Sequence, residues 1–250
     1  MLLEIKKLNK KFGSVVAAEN INFSMSEKEV IGLIGSNGAG KTTFCNIITG
    51  YTKQDSGEII FKGNNISNLG VLEIKNIGIH RSFQIPQIFN TLTVLENVMI
   101  SNLVANNKQF NFSELAFDKK NRDYSEYLLK QFNIIDFSDR KVSLLPQGAR
   151  KVLDILIAIL GKPSIVLLDE PTSGISTEEK FIVMDNALKA IKQLDISILF
   201  IEHDMDVIRK YSKRVVAFYS GKIISDDETE VALNQKDVLK YIVGQSNVKN

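Results

Sequence analysis

The segment Gly35–Thr43, with the sequence GSNGAGKTT, most constrains what this chain can fold into. It fits the pattern G-x-x-x-x-G-K-[ST], in which glycines let the backbone curl so that its N–H groups form a concave anion site. Val30–Ile34 before it is apolar like a buried strand, and Phe44–Ile48 after it is typical of a helix, whose N-terminus attracts anions. The motif therefore predicts a site for the phosphates of a nucleoside triphosphate.

Two side chains of this loop have predicted roles of their own. Lys41 is expected to reach the β- and γ-phosphates, and Thr42 to offer its hydroxyl to Mg²⁺. The other predicted nucleotide-binding residues of the loop are Gly35, Ser36, Asn37, Gly38, Ala39, Gly40 and Thr43.

The composition indicates an ordinary globular protein. The chain has 250 residues, of which 44% are hydrophobic and 24% charged, enough for one large domain or two small ones. The formal net charge of +2 argues neither for nor against a nucleic-acid partner. Cys45 is the single cysteine, so no internal disulfide forms, which fits a reducing compartment.

No segment of the sequence predicts a membrane span. The N-terminus carries charges where a signal peptide needs an apolar region. The most apolar stretch, 152–168, contains Asp154 and is interrupted by Gly161–Pro163, so it is too short and too broken to cross a bilayer. We expect a chain that is not an integral membrane protein, although it can dock on one.

A second apolar run, Ile165–Leu168, ends in the two carboxylates Asp169 and Glu170. Such a run suits a central parallel strand covered on both faces, and ligands bind at the carboxyl ends of such strands. One carboxylate can then hold Mg²⁺ through its water shell, and the other can accept a proton from an attacking water. Alone, the pair would more simply be solvated acids at a strand end; beside a phosphate loop, the catalytic interpretation is favoured.

Two further residues are candidates for the same site. His203 follows the apolar strand Ile196–Ile201, so it is expected on the ligand side of the sheet, where it can bond a γ-phosphate oxygen. Phe12 can stack on a nucleobase or be an ordinary core residue, and composition alone favours the core.

The hydrophobic pattern predicts an α/β fold. Alternation over residues 2–34, with a turn at Lys10–Gly13, indicates a small antiparallel sheet. Residues 85–158 are predicted to be a helical insertion, with Thr91 or Thr93 as an N-cap ahead of Glu96. Further strands are predicted at 57–61 and 77–84, a helix at 181–194, a hairpin at 215–224 and a closing helix at 231–243.

Taken together, these motifs resemble those of the ATP-binding cassette (ABC) ATPases. The resemblance rests on five ordered motifs: the phosphate loop, Ser82–Gln84 as the glutamine loop, Leu144–Gly148 at the family signature, Leu167–Pro171 as Walker B, and His203 as the switch histidine. Local details resemble the ATPase subunits of branched-chain amino acid importers, notably Arg81–Gln84, Leu92–Val98 and Ile201–Met205.

The resemblance implies a fold: a P-loop NTPase core with an N-terminal antiparallel β subdomain and an inserted α-helical subdomain. The whole chain, 1–250, would be one ABC ATPase domain. Residues 1–84 and 159–250 would form the nucleotide-binding core, and 85–158 the helical signature subdomain.

The resemblance also implies roles in binding ATP with Mg²⁺. Phe12 would stack on adenine, which reverses the preference from composition. Thr42 and Gln84 would ligate Mg²⁺, with Asp169 behind its waters. Glu170 would be the general base, while Lys41 and His203 would hold the phosphates, completing the catalytic set.

Partners follow from the same resemblance. Family members close head-to-tail as dimers, homodimers or heterodimers, so that Gly148 of one chain's signature faces the ATP on the other. The implied function is to power an importer for branched-chain or related amino acids through separate membrane permease subunits, which receive solute from a binding protein. The expected location is peripheral, at the cytoplasmic face of the cell membrane, without nucleic acid.

Two other functions are alternatives to this one. A cassette ATPase acting on nucleic acid or ribosomes usually has two cassettes in one chain or a long coiled-coil insertion, and this sequence shows neither. A small-molecule P-loop kinase needs an acceptor site, whereas Asp169, Glu170 and His203 together favour water as the acceptor.

The signature departs from the common form Leu-Ser-Gly-Gly-Gln. Pro146 replaces the serine, Gln147 the first glycine and Ala149 the glutamine, so only Gly148 remains. Proline has neither a hydroxyl nor an N–H to donate to a phosphate. This pattern predicts an asymmetric pair, in which the ATP site that uses this chain's signature is the weaker one.

Overall fold

A computed structural model describes residues 1–82, 88–105 and 118–244 of the chain. It divides into two compact units: the terminal unit, Met1–His80 with Ser197–Asn250, and the middle unit, Arg81–Ile196. The functional partition predicted from the sequence, with 85–158 as a separate helical subdomain, stays a prediction. Within the described ranges, no helix combines the length and the apolar character needed to cross a membrane.

The strands follow one another along the chain at these bounds: β1 Leu3–Phe12, β2 Val15–Met25, β3 Val30–Gly35, β4 Ser56–Phe61, β5 Asn64–Asn65, β6 Ile79–Arg81, β7 Ile165–Asp169, β8 Ser197–Ile201, β9 Arg214–Tyr219 and β10 Lys222–Glu228. The α-helices of the described residues are α1 Lys41–Ile48, α2 Val71–Asn76, α3 Val94–Ala105, α4 Lys119–Gln131, α5 Gln147–Ala158, α6 Thr177–Gln193, α7 Met205–Tyr211, α8 Thr229–Leu233 and α9 Lys236–Val238. Short 3₁₀ turns cover Ile135–Phe137 and Val142–Leu144, and a π-helical turn covers Leu239–Val243.

The terminal unit contains the predicted small antiparallel sheet, in the order β2-β1-β4-β5. Alternation buries Leu3 and Ile5 of β1, and Leu8 is buried after a shift of register between Ile5 and Leu8. The turn predicted at Lys10–Gly13 is wrong in its first three residues, because β1 continues to Phe12 and pairs there with Val15. The chain reverses only at Gly13, whose positive φ of 59° suits a tight turn.

A second sheet of this unit runs in the order β10-β9-β3-β8. The central strand β3 is parallel to both β8 and β9, and all six of its residues are buried. Fully buried parallel strands are continuous apolar runs, which is why Val30–Ile34 lacks alternation. The predicted hairpin is present as the antiparallel pair β9 and β10.

The helix α1, which follows the phosphate loop, is fixed by an aromatic cluster. Phe44 of α1 is fully buried, and its ring centroid lies 5.4 Å from that of Phe23 and 5.2 Å from that of Phe218. Phe23 belongs to β2 and Phe218 to β9, so both sheets of the terminal unit contact the same helix. This packing holds the beginning of α1, and with it the loop, in place.

The middle unit holds β7 and the helices α3 to α6. Of the two candidate N-caps, Thr93 is the one used: its backbone N–H donates to Oε2 of Glu96 at 2.7 Å, and the N–H of Glu96 donates to Oγ1 of Thr93 at 3.2 Å. This reciprocal pair is the capping box that the sequence predicted. Within residues 88–105 and 118–158 the structure assigns helices and 3₁₀ turns but no strand, apart from an isolated bridge between Thr93 and Lys141.

The aromatic cluster yields a stability prediction. Phe44→Ala is expected to lower the free energy of unfolding by about 3–5 kcal/mol, because it removes a buried ring and leaves a cavity. The exposed Leu72 provides a control: Leu72→Ala is expected to change it by less than about 0.5 kcal/mol. Urea unfolding followed by circular dichroism measures both, and equal small effects would contradict the assigned packing.

Candidate functional site

The phosphate loop joins β3 to α1, and two close backbone contacts explain its glycines. A Cβ atom at Gly35 would lie 2.4 Å from the carbonyl oxygen of Phe218, and one at Gly40 would lie 2.3 Å from that of Ala17. Gly40 also has a φ of +107°, a conformation that side-chain-bearing residues rarely adopt. The spacing of the motif is thus set by where the backbone meets its neighbours.

Lys41 is the first residue of α1 and is only 6% exposed. Its ammonium donates hydrogen bonds to the carbonyl oxygens of Gly35 at 2.6 Å and Ser36 at 3.1 Å. The lysine charge is therefore held against the loop itself, where the motif requires it.

The N-terminus of α1 is electropositive for a second reason. Its N-cap, Gly40, supplies no side-chain acceptor, and the first turn contains no acidic residue. The first N–H groups of a helix have no partner within the helix, and the helix dipole is positive at this end. Thr42, predicted to hold Mg²⁺, is exposed at this end of the helix.

His203 leaves the sheet at the same edge as the loop. Strands β3 and β8 are parallel, with Leu33 opposite Ile201, so Gly35 and His203 come two residues further on in each strand direction. The N–H of Glu202 donates to the carbonyl oxygen of Leu33, and the N–H of His203 donates to Oε2 of the buried Glu202. The His203 side chain is exposed, as the prediction of a phosphate contact requires.

Phe12 lies at the end of β1 with 51% of its surface exposed, so the interpretation as a core residue is wrong. The ammonium of Lys10 lies 5.2 Å from its ring centroid and donates to Oδ1 of Asp55 at 2.8 Å. Oδ2 of Asp55 accepts from the N–H of Lys11 at 2.7 Å. The bond from the Lys10 side chain, followed by that from the Lys11 backbone, holds the pKa of the Asp55 carboxyl below its usual range. The exposed ring is available for stacking, and its contact with adenine stays a prediction.

In the middle unit, β7 ends at Asp169, the predicted metal-associated acid. Its Oδ2 forms an ion pair with the guanidinium of Arg81, and both side chains are largely buried. Sequence analysis named Arg81 only as part of a motif and missed this pairing. A basic residue directly before the glutamine loop, at the end of a strand, was the available indication.

Glu170, the predicted general base, has a left-handed backbone with a φ of 49°. Its carbonyl oxygen accepts from the N–H of Ser173 at 3.1 Å and from Nζ of Lys151 at 3.2 Å. Lys151 was also missed, because a lysine beside Arg150 in a helical pattern carries no local signal of burial.

The signature segment begins helix α5 in the same unit. Pro146 occupies the N-cap position and offers no side-chain hydrogen bond, so no side chain of the cap covers the first N–H groups of this helix. Gly148 is buried, and a Cβ there would lie 3.5 Å from Val183, an ordinary contact.

The structure therefore brings together the loop Gly35–Thr43 and His203 in the terminal unit, and places Phe12 in that unit as well. Asp169, Glu170 and Gly148 lie in the middle unit. The predicted Gln84 lies outside the described residues. Within the described part of the chain, no group of three or more His, Cys, Asp or Glu residues is placed to bind a metal ion alone.

A glycine-bounded loop between a buried parallel strand and a helix, with an embedded lysine, defines a P-loop nucleotide-binding protein. A family model described as "ABC transporter" matches residues 18–173. The chain belongs to the ABC transporter family, and its fold is that of the family's ATPase cassette.

Similar proteins cover essentially the whole chain. The high-affinity branched-chain amino acid transport ATP-binding protein BraF of Pseudomonas aeruginosa is 30% identical over 251 residues, covering 98% of both chains. The corresponding protein LivG of Escherichia coli is 30% identical over 255 residues, again covering 98% of both. Among solved structures, the ADP conformation of an ATP-binding cassette of an ABC transporter has a TM-score of 0.85 and 27% identity, covering 100% of this chain and 99% of that one.

The close contact at Gly40 yields a binding prediction. Gly40→Ala is expected to weaken ATP binding by at least about tenfold, because an added Cβ must displace the backbone of Ala17 or of the loop. Isothermal titration with Mg-ATP measures the change.

Gly63→Ala is the matched control, because Gly63 also has a positive φ, of 80°, but a Cβ there meets nothing within 4 Å. It is expected to cost some stability and leave ATP affinity unchanged. Equal affinities in the two variants would show that the close approach at Gly40 does not shape the site.

Proposed function

We propose that this chain is the ATP-binding and ATP-hydrolysing subunit of an ABC importer for branched-chain or related amino acids. The observation that carries the proposal is the buried Lys41 ammonium held over the phosphate loop at the edge of the sheet where His203 also emerges. The full-length similarity to ATP-binding subunits named for branched-chain amino acid transport supports the class of solute.

ATP binding would use fixed backbone groups and a few side chains. The N–H groups of the loop and of the first turn of α1 would hold the phosphates, and the Lys41 ammonium would move its bonds from the loop carbonyls to phosphate oxygens. The exposed ring of Phe12 would stack on adenine.

The residues offered for Mg²⁺ are a hydroxyl on Thr42, the side-chain amide of Gln84 and the carboxylate of Asp169. All are oxygen donors, which is the ligand type that Mg²⁺ prefers, and few protein ligands are needed because the ion keeps several waters. When bound, the ion would neutralise charge on the phosphates. Arg81 holds one oxygen of the Asp169 carboxylate, and this ion pair would fix the orientation of the carboxylate toward the ion.

Hydrolysis would proceed by attack of water on the γ-phosphorus. Glu170 would accept a proton from this water, the bond from the γ-phosphorus to the bridging oxygen would break, and ADP with inorganic phosphate would result. His203 would donate a hydrogen bond to a γ-phosphate oxygen and stabilise the charge that develops there.

Coupling to transport requires partners. We propose a head-to-tail dimer with the same or a second ATPase chain, in which the uncapped N-terminus of α5, with Gly148, faces the γ-phosphate on the other chain.

Membrane permease subunits, which receive solute from a binding protein, would contact the segment after Gln84. There Phe89 is 55% exposed, and its backbone is clamped at both N–H and C=O by Asn97. The chain would then be peripheral, at the cytoplasmic membrane face.

The hydrolysis mechanism predicts the effect of a conservative substitution. Glu170→Gln is expected to reduce kcat by about a hundredfold to ten-thousandfold, because an amide cannot accept the proton of the attacking water. ATP affinity is expected to be unchanged, since the carboxylate does not hold the ground-state phosphates. Phosphate release and equilibrium titration measure the two quantities.

Lys41→Ala is the contrasting variant, and it is expected to lose ATP affinity itself. A Glu170→Gln protein with full activity would contradict the mechanism.

Co-purification from native membranes tests the transport function. Recovery of permease subunits with this chain supports that function, and recovery of ribosomes or nucleic acid supports the alternative class of cassette ATPase.

The degenerate signature predicts unequal sites when this chain pairs with a paralogue that has a complete one. Pro146 removes one hydrogen bond to a charged group, which costs about 1.5–3 kcal/mol, so the site using this signature is expected to be about ten- to a hundredfold slower. Glu170→Gln in this chain is therefore expected to abolish more of the pair's activity than the equivalent change in the partner. Equal losses in the reconstituted pair would rule the asymmetry out.

A further inference from the structure

The backbone at Glu170 adopts a conformation that its residue type disfavours. Its φ of 49° lies in the left-handed region, which suits glycine and is uncommon for a residue with a side chain. Such conformations persist only where the surrounding structure fixes them, and they are concentrated at functional sites. The direction in which the Glu170 carboxylate leaves β7 depends on this conformation.

A buried lysine from the signature helix contacts the backbone of Glu170. Lys151 of α5 is only 5% exposed, and its ammonium donates to the carbonyl oxygen of Glu170 at 3.2 Å and to Oγ of Ser173 at 3.1 Å. The N–H of Ser173 donates to the same carbonyl at 3.1 Å. The carbonyl oxygen of Glu170 has two lone pairs, and these two donors use both.

The same face of α5 touches the turn at a second point. Gln147 and Lys151 are four residues apart, so they lie on one face of the helix. A Cβ added to Gly174, which has a φ of +75°, would lie 2.6 Å from Nε2 of Gln147. The side chains of Gln147 and Lys151 therefore both lie against the turn from Glu170 to Gly174.

Burial makes the choice of lysine informative. A charged ammonium is rarely buried without a specific partner, because it loses its hydration. An apolar residue would fill the same position at lower cost if packing were the only requirement. The ammonium of Lys151 donates hydrogen bonds to the Glu170 carbonyl oxygen and to Oγ of Ser173.

We propose that Lys151 is a positioning residue for ATP hydrolysis: its bond to the Glu170 carbonyl fixes the left-handed backbone and so aims the carboxylate that accepts the water's proton. The inference rests on the proposed function of Glu170 as the general base. It also gives the helix that carries the signature a direct connection to the proposed general base of the same chain.

The test uses the full-length chain, with its dimer partner where hydrolysis requires one. Lys151→Met keeps most of the length of the side chain and removes the donor, and Lys151→Arg restores a buried donor. The exposed Lys189, on α6 of the same unit, supplies the matched control Lys189→Met. For each variant kcat, KM, equilibrium ATP affinity and thermal midpoint are measured.

Lys151→Met is expected to lower kcat about ten- to a hundredfold, the effect of misplacing a catalytic group by about 1 Å. ATP affinity should stay within about twofold, since the phosphate-loop residues are unchanged. Lys151→Arg should recover part of the lost kcat, and Lys189→Met should match the wild type. If Lys151→Met does not fold, Ser173→Ala serves instead, because it removes one contact of the ammonium and is expected to lower kcat a few-fold at unchanged affinity.

A double variant separates positioning from a merely structural role. If Lys151 acts through Glu170, adding Lys151→Met to Glu170→Gln should lower the residual kcat no further, because residues that act as a unit are not additive. A further drop of tenfold, or an equal loss of affinity and kcat in Lys151→Met, would overturn the inference. Full activity of Lys151→Met beside an inactive Glu170→Gln would overturn the inference alone, whereas full activity of Glu170→Gln would overturn the proposed base as well.

Discussion

The phosphate loop depends on a steric constraint: at both of its ends, the backbone of another strand of the same chain approaches closely. Carbonyl oxygens from β9, at Phe218, and from β2, at Ala17, lie where a Cβ atom of Gly35 or Gly40 would be. Each carbonyl comes from a different sheet of the terminal unit, so the loop is fixed only when both sheets are formed. Because packed interiors do not deform continuously, the loop amides are arranged before an anion arrives, which lowers the entropy lost on binding.

Parallel pairing contributes the second element of the site. The register of β3 against β8 places the ends of both strands at one edge, so that His203 emerges level with the phosphate loop. In the middle unit, the consecutive residues Asp169 and Glu170 contact different basic side chains. Asp169 forms an ion pair with Arg81, and the backbone carbonyl oxygen of Glu170 accepts a hydrogen bond from the ammonium of Lys151.

Local chemistry explains which features were predictable. The loop, the buried strand β3, the antiparallel strands β1 and β2, and the Thr93 cap follow from residue types at short, fixed spacings. Exposure of Phe12 was not predictable from composition, because a phenylalanine is usually buried. The pairs Arg81–Asp169 and Lys151–Glu170 join residues 88 and 19 positions apart, and neither spacing has a local pattern.

The amino-acid sequence by itself determined that this chain has an anion-binding loop, two acids after one apolar strand and a histidine after another. Each of these features is a contiguous run of residues, so its chemistry can be inferred without knowing which segments pack against it. Only the tertiary structure decided which backbone carbonyls exclude a side chain at Gly35 and Gly40. It also decided which basic side chains contact the Asp169 carboxylate and the Glu170 carbonyl. These contacts depend on distances of a few ångströms between segments that are remote in the chain, and such distances exist only after the sheets and helices have packed.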